Sequence, residues 1–258
     1  MTGRPTDERV VVITGGAGGQ GAAEARALVA AGAVVYAVDV AEAPTEDLRG
    51  AAYRRLDVTD TAAWAALAAE LADRHGHVHG LVNNAGITWR ARLGELDTAD
   101  LHRVLDVNLA GPLLAIQHLA PLMGAGGSIV NVGSAAALTG HYPVAYTASK
   151  WALRGLTKAA CVELGPRGIR VNAVHPGYIE TPMTASAPAA FRDASLAETP
   201  LGRIGTADEV AAVIVFPLGD GAAFITGAEI PVDGGMTAHG GAKSLSDALR
   251  PDTVVTAS

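Results

Sequence analysis

The chain has 258 residues, which is long enough for one large α/β domain or two small ones. Hydrophobic residues make up 49% and charged residues 17%, so the chain can build a core and is not expected to be disordered. The net charge of −7 argues against a surface that binds nucleic acid or an anionic membrane. Residues 1–9 lack the apolar stretch of a secretory signal, and no apolar run is long enough to span a bilayer. These features predict a cytoplasmic protein without a membrane segment.

The first part of the chain has the pattern of a strand, a glycine-rich turn, a helix and a second strand. The β-branched run 10–13 precedes the turn 14–21, and a helical segment at about 22–31 precedes the apolar run 33–38. Glycine permits positive φ and close approach of a ligand to the backbone, and a helix start offers N–H groups to a pyrophosphate. The turn therefore predicts a dinucleotide-binding site. Its predicted binding residues are Gly15, Gly19, Gln20 and Gly21.

Asp39 ends the second predicted strand. A carboxylate at this position accepts hydrogen bonds from ribose hydroxyls, and it repels the 2′-phosphate that distinguishes NADP from NAD. No Arg or Lys lies in residues 14–25 or beside Asp39 to offset that repulsion. The simpler interpretation is that Asp39 only caps a strand end. In the context of the glycine-rich turn, the sequence favours NAD as cofactor.

Strands and helices alternate along the rest of the chain. Further strands are predicted at 53–56, 80–82, 128–132, 169–174 and 228–232, and helices at about 61–74, 100–122, 146–163 and 207–218. The alternation predicts a single-domain, Rossmann-like α/β fold with a doubly wound parallel sheet of seven strands and helices on both faces. We expect this core to span residues 9–236. The polar residues 237–258 have no clear core pattern and are expected to form a tail.

Two segments depart from a regular pattern. Asn108, Gly111 and Pro112 interrupt the predicted helix 100–122, which favours a kink near the site over a tolerated irregularity. Residues 178–205 are rich in Pro, Ala and Thr and have weak periodicity. Such a segment predicts a mobile lid near a ligand.

Tyr146 and Lys150 lie four residues apart at the start of the predicted helix 146–163, so they share one helix face. A lysine ammonium favours the phenolate, so we expect a lowered Tyr146 pKa and proton exchange near neutral pH. An isolated pair at this spacing is more often an exposed tyrosine beside a solvated lysine. The rest of the chain has to decide between these interpretations.

The histidines and the single cysteine give no metal site. His75, His77 and His79 alternate before the fourth strand without an acidic or cysteine partner nearby, which favours an exposed loop. His175 precedes a Pro-Gly turn, where a structural role is favoured over a catalytic base. Cys161 lies in an apolar helical pattern, which is typical of a buried, inert thiol. We therefore expect no bound metal.

Taken together, the motifs along residues 10–236 resemble those of the short-chain dehydrogenases/reductases. Any one of these motifs is weak, but their conjunction in this order is highly specific. The residues that carry the resemblance are Thr14, Gly15, Gly19, Gly21, Asn83, Asn84, Ala85, Gly86, Asn108, Ser134, Tyr146, Lys150, Pro176 and Gly177.

The resemblance implies a role for each residue of a catalytic set. Tyr146 is the general acid/base, and Lys150 lowers the pKa of Tyr146 and binds the nicotinamide ribose. Ser134 holds the substrate oxygen, and Asn108 supports a water that relays protons to Lys150. The resemblance also implies cofactor contacts by Val40, Asp57, Val58, Asn84, Ala85, Gly86, Pro176, Gly177, Ile179 and Thr181. It further implies a homotetramer formed through the helices at about 100–122 and 146–164.

The substrate side of the site is less determined. The chain looks most like the bacterial 3α/20β-hydroxysteroid dehydrogenases, but the loop from Ser134 to Tyr146 is about one residue shorter than the commonest family spacing. Gln20 also replaces the usual aliphatic residue. An apolar pocket is predicted. Its candidate residues are Ile87, Trp89, Ala135, Ala136, His141, Tyr142, Tyr178 and Met183.

The sequence therefore predicts an NAD(H)-dependent oxidoreductase that interconverts a secondary alcohol and a ketone, such as a hydroxysteroid or another cyclic or aryl alcohol. Three alternatives remain at this point. The chain could be a catalytically silent, dinucleotide-sensing regulator, a 3-oxoacyl-type reductase, or a dehalogenase-like lyase that uses Tyr146 without hydride transfer. The retained glycines argue against the lyase, and the intact catalytic set argues against the regulator.

Overall fold

The β-branched run near the N-terminus forms an interior strand of a parallel sheet. The computed structural model describes residues 9–250 of the chain. The strands are β1 (Val10–Thr14), β2 (Val34–Asp39), β3 (Ala52–Arg55), β4 (Gly80–Asn83), β5 (Ser128–Val132), β6 (Arg170–Pro176), β7 (Ile179–Glu180), β8 (Gly205–Thr206) and β9 (Glu229–Val232). Seven of them form one sheet in the order β3-β2-β1-β4-β5-β6-β9, with every neighbouring pair parallel. The predicted doubly wound, Rossmann-like sheet of seven strands is confirmed.

Helices cover both faces of this sheet. They are α1 (Gly19–Ala30), α2 (Thr61–His75), α3 (Thr98–Leu105), α4 (Gly111–Leu119), α5 (Val144–Leu164), α6 (Pro182–Ala185), α7 (Ala189–Ala197), α8 (Ala207–Leu218) and α9 (Ala242–Ala248). Alternate residues of a strand point to opposite faces, so the two faces carry separate cores. Val12 belongs to the core that contains Trp64 of α2, and Ile13 belongs to the core that contains Ile214 of α8.

The strand order brings the predicted site residues to one edge of the sheet. The order reverses between β1 and β4, and ligands of open α/β sheets bind in the crevice at the carboxyl ends of strands beside such a switch point. The glycine-rich turn follows β1, Asp39 ends β2, Asn84 follows β4 and Ser134 follows β5. Residues distant in sequence therefore meet at this edge.

The predicted helix 100–122 is interrupted. Between α3 and α4 the chain forms a π-helical turn at Asp106–Ala110, and α4 ends in a 3₁₀ turn at Ala120–Leu122. Pro112 has no N–H for a regular ladder, and a Cβ at Gly111 would lie 2.9 Å from Val58 Cγ2. The helical pattern is interrupted where Asn108 and the Gly-Pro pair predict it, and the kink itself stays a prediction.

Two predicted irregular segments contain regular structure. Residues 178–205 include α6 and α7, and the short strands β7 and β8 pair at the two ends of the segment. The weak periodicity reflects these short pieces, and the motion of this segment stays a prediction. The predicted tail includes helix α9, while residues 251–258 lie outside the described part of the chain. In residues 9–250, no helix is long and apolar enough to cross a membrane.

Candidate active site

A cavity of about 390 Å³ opens at the carboxyl ends of the strands. We call it the nucleotide cavity. The predicted site residues that line it are Gly15, Gly19, Gln20, Gly21, Asp39, Asn84, Ala85, Gly86, Ser134, Tyr146, Lys150, Pro176, Gly177, Ile179 and Thr181. The structure thus brings together most of the residues that the sequence predicts for cofactor binding.

The glycine-rich turn forms the floor of the nucleotide cavity, and two of its positions leave no room for a side chain. Gly15 has a φ of +68°, and a Cβ there would lie 2.8 Å from the Cα of Ala85. A Cβ at Gly21 would lie 2.2 Å from the Gly15 carbonyl oxygen. Gly15 and Gly21 therefore bring the backbone and the start of α1 to the cavity without adding side chains of their own. This arrangement fits a dinucleotide whose pyrophosphate lies against a helix N-terminus.

Asp39 both closes the turn and lines the nucleotide cavity. Its two carboxylate oxygens accept hydrogen bonds of 3.1 Å from the backbone N–H groups of Ala17 and Ala41. The strand-end cap and the ribose contact are therefore compatible roles for one side chain. Lys150 is the only basic residue among the described residues that line this cavity, so nothing there offsets the charge of Asp39 against a 2′-phosphate.

The loop after β2 also reaches the turn, and the sequence analysis missed it. Thr45 donates its backbone N–H to Ala17 O at 2.7 Å and lines the nucleotide cavity. Glu46 accepts the Gly19 N–H at 2.6 Å and pairs with Arg26 at 2.9 Å. No sequence pattern marks Thr45 or Glu46, because their contacts depend on how a loop folds back across space.

Three predicted cofactor residues lie outside the lining of this cavity. Val40 is exposed, and Asp57 is exposed and accepts the backbone N–H of Thr59. Val58 is buried and packs at Gly111. Their proposed contacts with adenine and its ribose stay predictions.

Gln20 is part of a hydrogen-bond network beneath the nucleotide cavity. Its Nε2 donates to Glu24 Oε1 at 3.0 Å and to Asn84 Oδ1 at 3.1 Å. Asn84 in turn donates its Nδ2 to the backbone oxygens of Thr14 and Gly15. Glu24 is fully buried, and its burial raises the pKa of the carboxyl group to about 8. The network connects helix α1 to the loop after β4 and to the glycine-rich turn.

Asn108 is buried in the π-helical turn, and both the oxygen and the nitrogen of its side-chain amide form hydrogen bonds. Its Oδ1 accepts the Ile87 N–H at 2.8 Å, and its Nδ2 donates to Ile87 O and to Ser149 Oγ, each at 2.9 Å. A Cβ at Gly86 would lie 3.4 Å from Asn108 Oδ1 and 3.5 Å from Lys150 Nζ. Asn108 therefore fixes the loop after β4 against helix α5, beside Lys150.

Ser134, Tyr146 and Lys150 converge on one wall of the nucleotide cavity. Ser134 follows β5, and its Oγ accepts the Ala136 N–H at 3.1 Å. Lys150 is buried and donates from its Nζ to the Val132 carbonyl oxygen at 2.8 Å. The Lys150 Nζ lies 5.7 Å from the centroid of the Tyr146 ring. The predicted i,i+4 pair therefore faces the site.

The predicted direction of the Tyr146 pKa shift is wrong for this structure. Burial raises the pKa of the phenol, and the hydrogen bond with Ser134 lowers it only in part. Lys150 is itself removed from water, which lowers the pKa of its ammonium to about 8. The helix spacing predicted the proximity of the two groups, but desolvation of the phenol sets the direction of its pKa shift.

His175 supports the backbone of Ser134 from below. It is fully buried, and its Nδ1 lies 3.3 Å from Ser134 N and 3.2 Å from Ser134 O. Its Nε2 lies 3.7 Å from Glu229 Oε1, and Glu229 also binds Arg154. Burial lowers the pKa of His175, which favours the neutral ring. This geometry favours a structural role for His175 over a role as catalytic base.

A second cavity of about 650 Å³ adjoins the first. We call it the substrate cavity. Its lining includes Ala135, Ala136, His141, Tyr142, Tyr178 and Met183, as predicted. Phe191 contacts three of these rings, with centroid distances of 5.5 Å to His141, 6.1 Å to Tyr142 and 5.6 Å to Tyr178. Met236 and His239 line the opposite wall. The C-terminal segment therefore contributes to the cavity, which the sequence analysis missed.

Two predicted pocket residues do not line either cavity. Trp89 is 39% exposed, and the guanidinium of Arg103 lies 4.9 Å from the Trp89 ring centroid. The backbone N–H and carbonyl oxygen of Ile87 form hydrogen bonds with the Asn108 side chain. Their neighbours Thr88 and Arg90 line the substrate cavity instead. The loop therefore reaches the cavity through Thr88 and Arg90, and substrate contacts of Ile87 and Trp89 stay predictions.

Comparison with known proteins decides the family. A family model described as "Enoyl-(Acyl carrier protein) reductase" matches residues 15–237. A trans-4-hydroxycyclohexanecarboxylate dehydrogenase of Sinomonas cyclohexanicum is 39% identical over 90% of this chain and 93% of its own. A 3-alpha-(or 20-beta)-hydroxysteroid dehydrogenase of Mycobacterium bovis is 42% identical over 89% and 90%. The solved structure of a short-chain dehydrogenase/reductase from Serratia marcescens has a TM-score of 0.85 at 34% identity, covering 91% of this chain and all of that one.

The chain belongs to the short-chain dehydrogenase/reductase family. The curated relatives are dehydrogenases named for alcohol substrates, so the family assignment makes this chain an oxidoreductase with a nicotinamide dinucleotide cofactor. Two features of this family member stand out in the structure. Gln20 adds the Glu24 network beneath the turn, and the short loop before α5 places His141 and Tyr142 in the substrate cavity.

The acidic and histidine side chains do not form a metal centre within residues 9–250. No group of three or more His, Cys, Asp or Glu residues there has the arrangement to hold an ion. His77 and His79 stack edge to face, with centroids 4.4 Å apart. Tyr36 bonds His75 at 2.9 Å. These histidines have contacts within the fold at a distance from both cavities.

Proposed function

We propose that this family member is an NAD(H)-dependent dehydrogenase that interconverts a secondary alcohol and a ketone on a ring. One observation carries the proposal. Ser134 and Tyr146 line both the nucleotide cavity and the substrate cavity, so they lie where the two cavities meet. A carbonyl group bound there would contact both hydroxyls. The nicotinamide would supply or accept the hydride at this junction.

Tyr146 supplies the proton in this proposal. Because burial raises the pKa of its phenol, Tyr146 carries its proton at neutral pH. A protonated phenol can donate to a carbonyl oxygen as negative charge develops there. The Ser134 hydroxyl holds the same oxygen, which stabilises the developing charge. In the oxidising direction Tyr146 has to lose its proton first, so we expect that direction to be favoured by alkaline pH.

Lys150 and Asn108 support this exchange. Lys150 lies beneath Gly86 with its Nζ facing the nucleotide cavity, where it can bind the ribose of the nicotinamide. Burial lowers the pKa of its ammonium to about 8, so its charge decreases as the pH rises through that value. Asn108 fixes the loop on which Gly86 lies. The water relay through Asn108 stays an expectation from the family resemblance.

NAD is the cofactor that fits the cavity. Asp39 lines it, and no described arginine lies in that lining to bind a 2′-phosphate. Val40, Asp57 and Val58 are part of this proposal as residues around the adenosine, on the strength of the resemblance alone.

The substrate cavity favours an apolar, ring-shaped molecule. Its volume of about 650 Å³ and its wall of Tyr142, Tyr178 and Phe191 suit an alicyclic or aromatic ring. The names of the relatives, one for a hydroxycyclohexanecarboxylate and one for hydroxysteroids, support the same class of ring-shaped substrate. We also expect a cytoplasmic homotetramer.

An NADH-consumption assay tests the function. The panel contains 4-oxocyclohexanecarboxylate, 4-methylcyclohexanone, a steroid ketone, an aryl ketone and a 3-oxoacyl thioester, each with NADH and with NADPH. We expect turnover of a ring ketone with a preference for NADH. Tyr146→Phe should lower kcat about 10²- to 10⁴-fold, which is the contribution of general acid catalysis. Tyr36→Phe is the matched control, because the Tyr36 hydroxyl bonds His75 outside both cavities.

Each outcome has a distinct meaning. Near-normal turnover by Tyr146→Phe would contradict the proposed mechanism. A lower KM for NADPH than for NADH would contradict the cofactor preference inferred from Asp39. Preference for the thioester would favour a 3-oxoacyl reductase. Tight NADH binding without turnover of any ketone would favour the dinucleotide-sensing regulator.

A further inference from the structure

Arg90 is a fixed cation on the wall of the substrate cavity. It lies in the loop after β4, where its Nη2 donates to Met183 O at 3.0 Å and its Nη1 donates to Ser186 Oγ at 3.2 Å. Both acceptors belong to α6 or its C-terminal cap, so the guanidinium is held at one edge. A guanidinium has further N–H groups in the same plane, and these match a carboxylate with two parallel hydrogen bonds.

Arg90 has no carboxylate partner within residues 9–250. Its two hydrogen bonds go to a carbonyl and a hydroxyl oxygen, which leave its positive charge uncompensated. Other arginines of the described chain do have acidic partners, such as Arg103 with Asp100 and Arg154 with Glu229. Surface charge without a partner is ordinary, but Arg90 is partly buried in the wall of a cavity. An anion bound at that wall would be stabilised more strongly than on an open surface.

The rest of the cavity supports one position for an anion. Among the described residues, the lining contains one acidic side chain, Glu198, whose Oε2 lies 3.6 Å from the His239 Nε2. Glu198 and His239 belong to different elements from the loop of Arg90 and from α6. Between these groups the wall is formed largely by aromatic rings and small side chains. An anionic group on a ring-shaped ligand is therefore attracted to the side of Arg90.

We propose that Arg90 is the anchor of a carboxylate subsite, and that this enzyme selects ring ketones and alcohols that carry a carboxylate. The carboxylate accepts hydrogen bonds from the free edge of the guanidinium, the ring fills the aromatic cavity, and the reacting oxygen lies at Ser134 and Tyr146. The identity of the reacting oxygen rests on the proposed function. The carboxylate subsite rests on Arg90 and its surroundings alone.

A matched pair of substrates separates charge from shape. We would measure kcat/KM for 3- and 4-oxocyclohexanecarboxylate and for their methyl esters, which keep the ring and the ketone but carry no charge. The wild type should prefer an acid over its ester about tenfold or more. Arg90→Met should lower kcat/KM for that acid about 10- to 100-fold through KM, which is the range of a charge-assisted hydrogen-bond pair. The ester should change less than about threefold.

Two further variants control for charge and for local structure. Arg90→Lys keeps the positive charge without the planar fork, so it should retain part of the preference for the acid. Arg103→Met removes one positive charge outside both cavities and should leave the ratio of acid to ester unchanged. Because Arg90 is partly buried, about 1 M salt should reduce the preference of the wild type less than it would reduce an attraction between surface charges.

A binding measurement keeps the test independent of turnover. Ligand-observed NMR would compare cyclohexanecarboxylate with cyclohexanecarboxamide, with and without NADH. Stronger binding of the carboxylate that disappears in Arg90→Met supports the subsite, even if no ketone is reduced and the proposed function fails. Equal losses for acid and ester in Arg90→Met would show that Arg90 only holds α6, and a wild type that prefers esters would overturn the subsite outright.

Discussion

Glu24 is a carboxyl group with no exposed surface, and its only hydrogen-bond partner in the described chain is Gln20. Burial raises its pKa from 4.5 to about 8, so the folded protein keeps a proton that the unfolded chain releases. Between those two values the unfolded state binds fewer protons, and stability falls as pH rises. Below pH 4.5 both states are protonated, and the loss is absent.

Glu24→Gln should therefore stabilise the protein at neutral and mildly alkaline pH. Gln cannot ionise, so the variant avoids a loss of about 1.4 kcal/mol per pH unit across that window. The gain should approach a few kcal/mol near pH 8 and vanish near pH 4.5. Urea unfolding at several pH values measures it, with the exposed Glu163→Gln as the control. A gain that is the same at all pH values would show that Glu24 does not titrate as described.

For Tyr146, the sequence predicts the position of the side chain but not the direction of its pKa shift. The i,i+4 spacing placed Tyr146 and Lys150 on one face, and the structure confirms that both line the same cavity. The sign of the Tyr146 pKa shift was not accessible from spacing, because it depends on how much water the whole fold excludes. Glu24 was missed for the same reason, since nothing in its local sequence marks it as buried.

At the scale of an element, the π-helical turn Asp106–Ala110 positions the side-chain amide of Asn108. A regular helix would repeat every 3.6 residues, and the wider turn rotates Asn108 toward the loop after β4. There its side chain satisfies both backbone groups of Ile87. The helix interruption is thus linked to the geometry of the loop that bears Gly86.

Asn108→Ala should loosen that loop. The change removes one buried and two partly buried hydrogen bonds and leaves the Ile87 N–H without its acceptor, which costs roughly 2–4 kcal/mol of unfolding free energy. Hydrogen exchange of the Ile87 amide should accelerate, and KM for NADH should rise because Gly86 lines the nucleotide cavity. Gln117→Ala, on the exposed face of α4, is the control. Continued protection of the Ile87 amide in Asn108→Ala would refute this role.

Strands and helices whose residues follow a local pattern were predictable from the sequence. Contacts between residues that are distant in the chain were not. The seven strands were predicted from short apolar runs that alternate with helices, and the interruption before α4 was predicted from Asn108, Gly111 and Pro112. Glu46 reaches Gly19 only because a loop folds back, and His239 reaches the substrate cavity only because the C-terminal segment passes over it. Such contacts have no periodic signal in the sequence.

At the scale of the whole molecule, α4 and α5 leave apolar side chains uncovered. Leu113 on α4 is 40% exposed, and Trp151 and Val162 on α5 are 47% and 76% exposed. Solitary exposed apolar residues are normal, but these lie on the two helices that the family resemblance assigns to subunit contacts. The pattern supports the expected homotetramer.

Val162→Glu tests that assembly. If α5 pairs with its copy across a symmetry axis, the substitution places two like charges in a buried interface, which is strongly unfavourable. The wild type should have about four times the chain mass of 26.1 kDa by light scattering, and the variant should dissociate. Leu93→Glu, in an exposed loop outside these helices, is the control and should leave the mass unchanged. A wild type that is monomeric at micromolar concentration would reject the tetramer, and an unchanged tetramer in Val162→Glu would place its contacts away from this part of α5.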